Sequence, residues 1–186
     1  MLNFYKDNAK TVSKLILYQF GAIILALSMS GFSVGKRPWL FAATSLFSTL
    51  FYLSLTYSAM WEAGGYERIK IDGGRAEMKP LNGLWISLIA NAPNILFAVI
   101  IFISYVFGSD QGIINIGFIG AVGGVVMTVS RLYQAMYLGL IQTFSATDPI
   151  PYFLIILPSL FVSTGAYYLG VNNKRLFGFI KKSKKK

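Results

Sequence analysis

The sequence predicts an all-α, polytopic membrane protein built as one transmembrane helix bundle, and three observations carry that prediction. The 186-residue chain contains six stretches without a charged residue, each 16 to 30 residues long. It is 55% hydrophobic and only 13% charged, against roughly 25% charge in an ordinary soluble domain. Its seven carboxylates, Asp7, Glu62, Glu67, Asp72, Glu77, Asp110 and Asp148, all fall in the breaks between those stretches. About 20 apolar residues carry a helix across a hydrocarbon layer of roughly 30 Å, so most of the chain reads as membrane span. A soluble enzyme, a disulfide scaffold and a disordered tail protein are excluded.

The first span is expected over 15–33, behind a start in which Lys6, Lys10 and Lys14 recur every fourth residue on one helical face. Residues 22–30 (AIILALSMS) also fit the core of a secretory signal peptide. A retained span is preferred because the chain becomes apolar again at residue 38. The second span, 39–61, is bounded by Trp39 and Trp61, as interfacial anchors should be. A polar cytoplasmic loop is expected over 62–83, with Asp72-Gly73-Gly74 as a short hairpin or turn. The third span, 84–107, holds Pro93, which removes a helix hydrogen bond and predicts a kink near Ile89–Asn91. Residues 112–147 read either as two short spans, 113–130 and 132–147, turning near Ser130-Arg131, or as one long tilted helix. The last span is 152–170, and 171–186 forms a basic cytoplasmic tail.

Charge orders these segments. With six spans and both termini cytoplasmic, 15 of the 17 basic residues lie on one face and only Lys36 and Arg37 on the other. With five spans, the alternative, seven lie outside against nine inside. The positive-inside rule therefore favours six. The tail, with Lys174, Arg175 and the closing KKSKKK, is expected along anionic lipid headgroups, where each base contributes about 1 kcal/mol.

Absent residues remove whole chemistries. Without His or Cys there is no imidazole base, thiolate nucleophile or His/Cys metal site. No carboxylate sits in a span to couple protons or sodium, and no G-x-x-x-x-G-K-[ST] occurs to bind nucleotide. The chain is expected not to be an enzyme, to hold no cofactor or metal, and to bind no nucleic acid; its excess of basic residues records topology.

The substrate-binding candidates are Asn91, Asn94, Arg131, Gln134 and Tyr137. Asn91 and Asn94 flank Pro93, so two amides stand beside backbone carbonyls that the proline frees, as at the broken helices of transporters. The same amides can simply bond across to neighbouring helices and hold the bundle together. Arg131 at membrane depth would need an anion, whether a substrate carboxylate or phosphate or a lipid headgroup; at a cytoplasmic turn it is an ordinary positive-inside residue. Ala22-x3-Ala26 and Gly120-x3-Gly124, with Gly117, are small-residue spacings that let helices approach closely, either inside the bundle or against a partner.

Residues 69–94 (IKIDGGRAEMKPLNGLWISLIANAPN), 131–141 (RLYQAMYLGLI) and 158–170 (PSLFVSTGAYYLG) resemble a group of small uncharacterised multi-span proteins of Gram-positive bacteria. That resemblance implies a bacterial plasma membrane and no particular activity. A weaker resemblance is to the S subunits of energy-coupling-factor transporters, which have six spans and dock on their coupling subunit through an Ala-x3-Ala motif in the first span; Ala22 and Ala26 match it. The Ser33–Pro38 connection is shorter than the outer loop that lids the ligand site in that family. The expected function is a small solute transporter or the substrate-recognising subunit of a transport complex, driven downhill or by a partner ATPase. The alternative is a non-transporting accessory subunit that docks on another integral membrane protein.

Overall fold

The computed structural model describes residues 2–33, 38–75, 77, 79, 81–108, 117–144 and 149–174. Among them the chain is helical and forms no strand. Helix α1 covers Leu2–Ser33, α2 Pro38–Asp72, α3 Asn82–Ala90, α4 Ala92–Gly108 and α5 Gly117–Tyr133. A single 3-10 turn over Ala135–Tyr137 leads into α6, Leu138–Phe144. Then come α7, Ile150–Leu154, and α8, Leu157–Val171.

Long uninterrupted apolar runs make α1 and α2, of 32 and 35 residues. α2 does not stop where its apolar run ends at Trp61. It continues through Glu62–Asp72, where Glu67–Lys70 and Arg68–Asp72 pair three and four residues apart and support an exposed helix. It ends in the expected turn, not a hairpin: Gly74 has φ +67, and Arg75 N–H bonds to the Lys70 carbonyl at 2.9 Å. So the first half of the expected 62–83 loop is helix.

The predicted kink falls at Asn91. Pro93 has no N–H for the Ile89 carbonyl, so α3 stops at Ala90, and α4 leaves at 62° to it. Asn91 N–H still bonds to the Ser87 carbonyl at 2.9 Å, and Ile95 N–H to that of Asn91 at 3.0 Å. α8 ends in a similar way to α2, with Asn173 at φ 53 and Lys174 N–H on the Leu169 carbonyl at 2.8 Å.

Two ends of the bundle can be told apart. At the basal end Lys14 meets Glu62 at 2.9 Å, and Trp61 Nε1 donates to the Lys174 carbonyl at 2.8 Å. There Gly64 and Gly170 bring the backbones of α2 and α8 together, and Gly83 of α3 lies under Tyr167. The start of α1, the end of α2, the start of α3 and the end of α8 thus share this end. The basal core is Leu15, Met60, Ile86, Ala90, Ala166 and Tyr167 with their neighbours.

The distal half is built differently. α4 and α5 form an antiparallel pair, Gly123 against Ser104 and Phe97 against Tyr133 with ring centroids 5.5 Å apart. Tyr133 also touches Phe20, at 5.8 Å. The chain then reverses. The Met136 carbonyl accepts from Thr49, and Gly139 N–H donates to Ser45 at 2.8 Å while packing on Phe41, nearer the start of α2. α5 therefore comes in from the distal end and α6 heads back to it. The distal core joins Ala22, Ala26, Tyr52, Ala98, Ile101, Met136, Ile141 and Tyr152.

Among the described residues three helices, Lys6–Gly31, Trp39–Asp72 and Ile150–Val171, are long and apolar enough to cross a membrane, and the bent pair α3–α4 makes a fourth if it is counted as one span. Over 132–147, a separate span in one of the two readings of the sequence, the described residues form the last two residues of α5, the 3-10 turn and the seven-residue α6. Seven residues rise about 10 Å, a third of a hydrocarbon layer.

Candidate functional site

Between the basal and distal cores lies a buried polar layer. Asn91 and Asn94 are 2% and 1% exposed and Gln134 is fully buried. The helix break places Asn91 and Asn94 there, because α3 ends at one and the first turn of α4 holds the other. Gln134 enters from the opposite side, where α5 stops and the chain turns at φ −104, ψ 23.

A continuous chain of hydrogen bonds runs through this layer. Ser130 Oγ donates to Gln134 Oε1 at 3.2 Å, Gln134 Nε2 to Asn94 Oδ1 at 3.3 Å, and Asn94 Nδ2 to Asn91 Oδ1 at 3.2 Å. Asn91 Nδ2 donates to the Ser87 carbonyl at 3.0 Å and to Ser159 Oγ at 3.2 Å. Ser159 in turn shares a hydrogen bond with Tyr52 at 3.2 Å. Elements α2, α3, α4, α5 and α8 are tied together by side-chain hydrogen bonds, Asn91 Nδ2 also reaching Ser87 Oγ at 3.4 Å. Two discontinuities meet here, Asn91 and the 134–137 turn, and Ser159 reaches Asn91 from just beyond the Ile155–Ile156 step between α7 and α8.

The layer extends along α2. Ser45, the adjacent Ser48 and Thr49, Tyr52 and Thr56 follow one another at helical spacing and are all buried, a hydroxyl stripe facing inward. Ser45 and Thr49 serve the backbone of the reversed segment through Gly139 N–H and the Met136 carbonyl. By contrast Gln19 Nε2, Ser48 Oγ and Ser163 Oγ are buried with no hydrogen-bond partner. A buried unpaired polar atom costs about 1–3 kcal/mol, so these positions call for water or a ligand group.

Of the five substrate-binding candidates, then, Asn91, Asn94 and Gln134 are brought together. Tyr137 is buried one turn away, in the distal core, and lines an apolar crevice of about 200 Å³ with Thr49, Leu140, Ile141, Pro151, Leu154, Ile155 and Pro158. Arg131 stands apart, exposed on the outer face of α5, with no ion-pair partner among the described residues. Tyr52, Ser87, Ser130 and Ser159 belong to the layer and were missed by sequence reasoning; the hydroxyl spacing along α2 was the available signal for Tyr52.

The small-residue candidates separate as well. Ala22 and Ala26 are buried against the distal core. On α5, Gly117 is the first residue, Gly120 is half-buried, and Gly124 is exposed with open space around its Cα. A second, polar hollow of about 320 Å³ lies at the basal end among Asp7, Glu67, Lys70, Arg75, Glu77 and Lys79, where three acids face three bases. In comparisons with protein-family models, with curated proteins and with solved structures, no match to the chain was found.

Proposed function

We propose that the chain is an integral membrane protein that binds a small, uncharged, hydrogen-bonding solute in the mid-membrane amide and hydroxyl layer, as a facilitator or as the substrate-recognising subunit of a transport complex. The observation that carries this reading is the meeting of two helix discontinuities, at Asn91 and at Gln134, in a buried polar layer, in a bundle that also buries unpartnered Gln19, Ser48 and Ser163. Broken helices at the bilayer midplane are where transporters place their sites. The solute is uncharged because the layer contains amides and hydroxyls but no ionised side chain. The reading includes no catalysis, and energy comes from the solute gradient or from a partner.

The membrane arrangement in this proposal has four spans: α1, α2, the bent α3–α4 pair, and α7–α8. α5 and α6 form a re-entrant hairpin that enters from the distal side and turns at mid-depth. With the basal end cytoplasmic, 14 of the 17 bases lie inside, Lys36 and Arg37 outside, and Arg131 within the bilayer. The resemblance to Gram-positive membrane proteins supports a plasma-membrane setting.

Thermal unfolding of the purified protein against a panel of uncharged polyols, sugars and amides tests the solute. A binder raises the melting temperature of the wild type, and Asn94→Leu and Ser163→Leu each remove the rise. If no compound in the panel stabilises the protein, the solute reading is lost. One observation favours the accessory reading in that event: Asn91, Asn94 and Gln134 already satisfy one another, which is the pattern of interhelical struts.

A further inference from the structure

We infer that the outer face of α5 is the docking surface for a transmembrane helix of another protein that carries a carboxylate at mid-membrane depth. The inference rests on the membrane arrangement proposed above and starts from Arg131. Arg131 lies 14 residues beyond Gly117, about 21 Å along α5 from its distal start. Measured from the other end, Gln134 is linked through Asn94 and Asn91 to Ser159, which is 11 residues before Gly170 and so about 16 Å along α8 from the basal contact with Trp61. Arg131 precedes Gln134 on a helix running toward the basal end, so its Cα is at least as deep. An arginine exposed at that depth is costly, and an anion is the partner that best offsets its charge.

Among the described residues the chain does not supply one. Asp7, Glu67 and Glu77 line the basal hollow, Glu62 holds Lys14, and Asp72 holds Arg68. Asp110 and Asp148 fall in connections outside the described residues. A second copy arranged in the same way fares no better, because its carboxylates belong to the basal end or to the connections that follow α4 and precede α7, which join helices at the distal end. A carboxylate on a helix of a different protein is the complement these positions favour.

The surface around Arg131 fits a helix. Ala121, Gly124, Thr128 and Arg131 recur every three or four residues, all exposed, while Gly123 and Ser130 on the opposite face are buried. Gly124 has nothing near its Cα, and the Thr128 hydroxyl is turned back onto the Gly124 carbonyl at 3.0 Å. The stripe is therefore low and lets another backbone approach closely, with Arg131 at its mid-membrane end.

The chain has no cysteine, so single labels are unambiguous. The full-length protein, labelled at Lys186→Cys, is reconstituted in zwitterionic vesicles with a Leu/Ala model transmembrane peptide bearing Asp, Asn or Leu at its centre, and association is read by energy transfer. The Asp peptide is expected to associate about tenfold more tightly than the Leu peptide. Arg131→Leu removes that difference and Gly124→Leu weakens it, with both variants unfolding at the wild-type temperature. Equal association of the Asp and Leu peptides overturns the proposal, and enrichment of labelled anionic lipid at Arg131 in its place assigns the charge to headgroups. Thr128→Cys carrying a depth-sensitive fluorophore separates the two readings: quenching by mid-chain brominated lipid keeps the membrane arrangement whatever the peptides do, and quenching by headgroup-level bromine alone refutes that arrangement and the docking surface with it.

Discussion

Replacing Asn94 with leucine tests the polar layer at its centre. The two side chains have the same number and branching of heavy atoms and leucine is the bulkier, so the change removes hydrogen bonds without opening a cavity. Asn94 makes two, donating to Asn91 and accepting from Gln134. Interhelical hydrogen bonds in membranes contribute roughly 0.6–1.7 kcal/mol each, so the loss is about 1–3 kcal/mol. Gln134→Leu likewise breaks two bonds, to Asn94 and from Ser130, and costs a similar amount. The double variant loses the shared bond only once, so its cost falls short of the sum of the singles by about 1 kcal/mol. Reversible unfolding in mixed micelles, or steric trapping in bicelles, measures all four corners of the cycle. Additivity within about 0.3 kcal/mol, or neutral single variants, would refute the claim that these amides are joined.

Adjacent glycines on α2 provide a second contrast. A methyl on Gly64 would meet the Tyr167 carbonyl and the Val171 amide, whereas one on Gly65 meets nothing within 4 Å. Gly64→Ala should cost about 1–3 kcal/mol in the same unfolding assay, and Gly65→Ala should be neutral or raise stability by up to about 1 kcal/mol. Glu62→Gln breaks the Lys14 pair, whose side chains are 36% and 46% exposed, and should change unfolding by less than about 1 kcal/mol. Asn173 holds the left-handed turn that ends α8; Asn173→Ala should lower stability by about 1 kcal/mol and Asn173→Gly should leave it nearly unchanged, both read from thermal melts.

Much of the architecture is visible in the pattern of charges and prolines. Uncharged runs at 15–35, 38–61 and 149–173 become the three long span candidates, and Pro93 marks the bend at Asn91. The extension of α2 to Asp72 is less legible, because a polar segment reads as a loop unless its ion pairs three and four apart are weighed. The reversal after α5 is hidden for a different reason. Counting bases decides only between odd and even numbers of crossings, and a re-entrant hairpin leaves the parity of six spans unchanged. Within the site, Asn91 and Asn94 are conspicuous as amides in an apolar run, yet their link to Gln134 depends on where α5 ends. That end turns Gln134 inward and leaves Arg131, three residues earlier, on the outer face. Ala22 and Ala26 suit either internal packing or docking by spacing, and only the fold shows them turned into the distal core.

The depth of the α5 terminus decides whether the polar layer lies at the middle of the membrane. Leu132→Cys is the probe, at a position 60% exposed on α5 in a chain without cysteine. In sealed, oriented vesicles the predicted result is no labelling by a membrane-impermeant maleimide from either face. An attached fluorophore should be quenched most by bromines near the bilayer centre. Rapid maleimide labelling from the basal side would place residues 130–134 at a cytoplasmic turn, restore six crossings and contradict the mid-membrane polar layer.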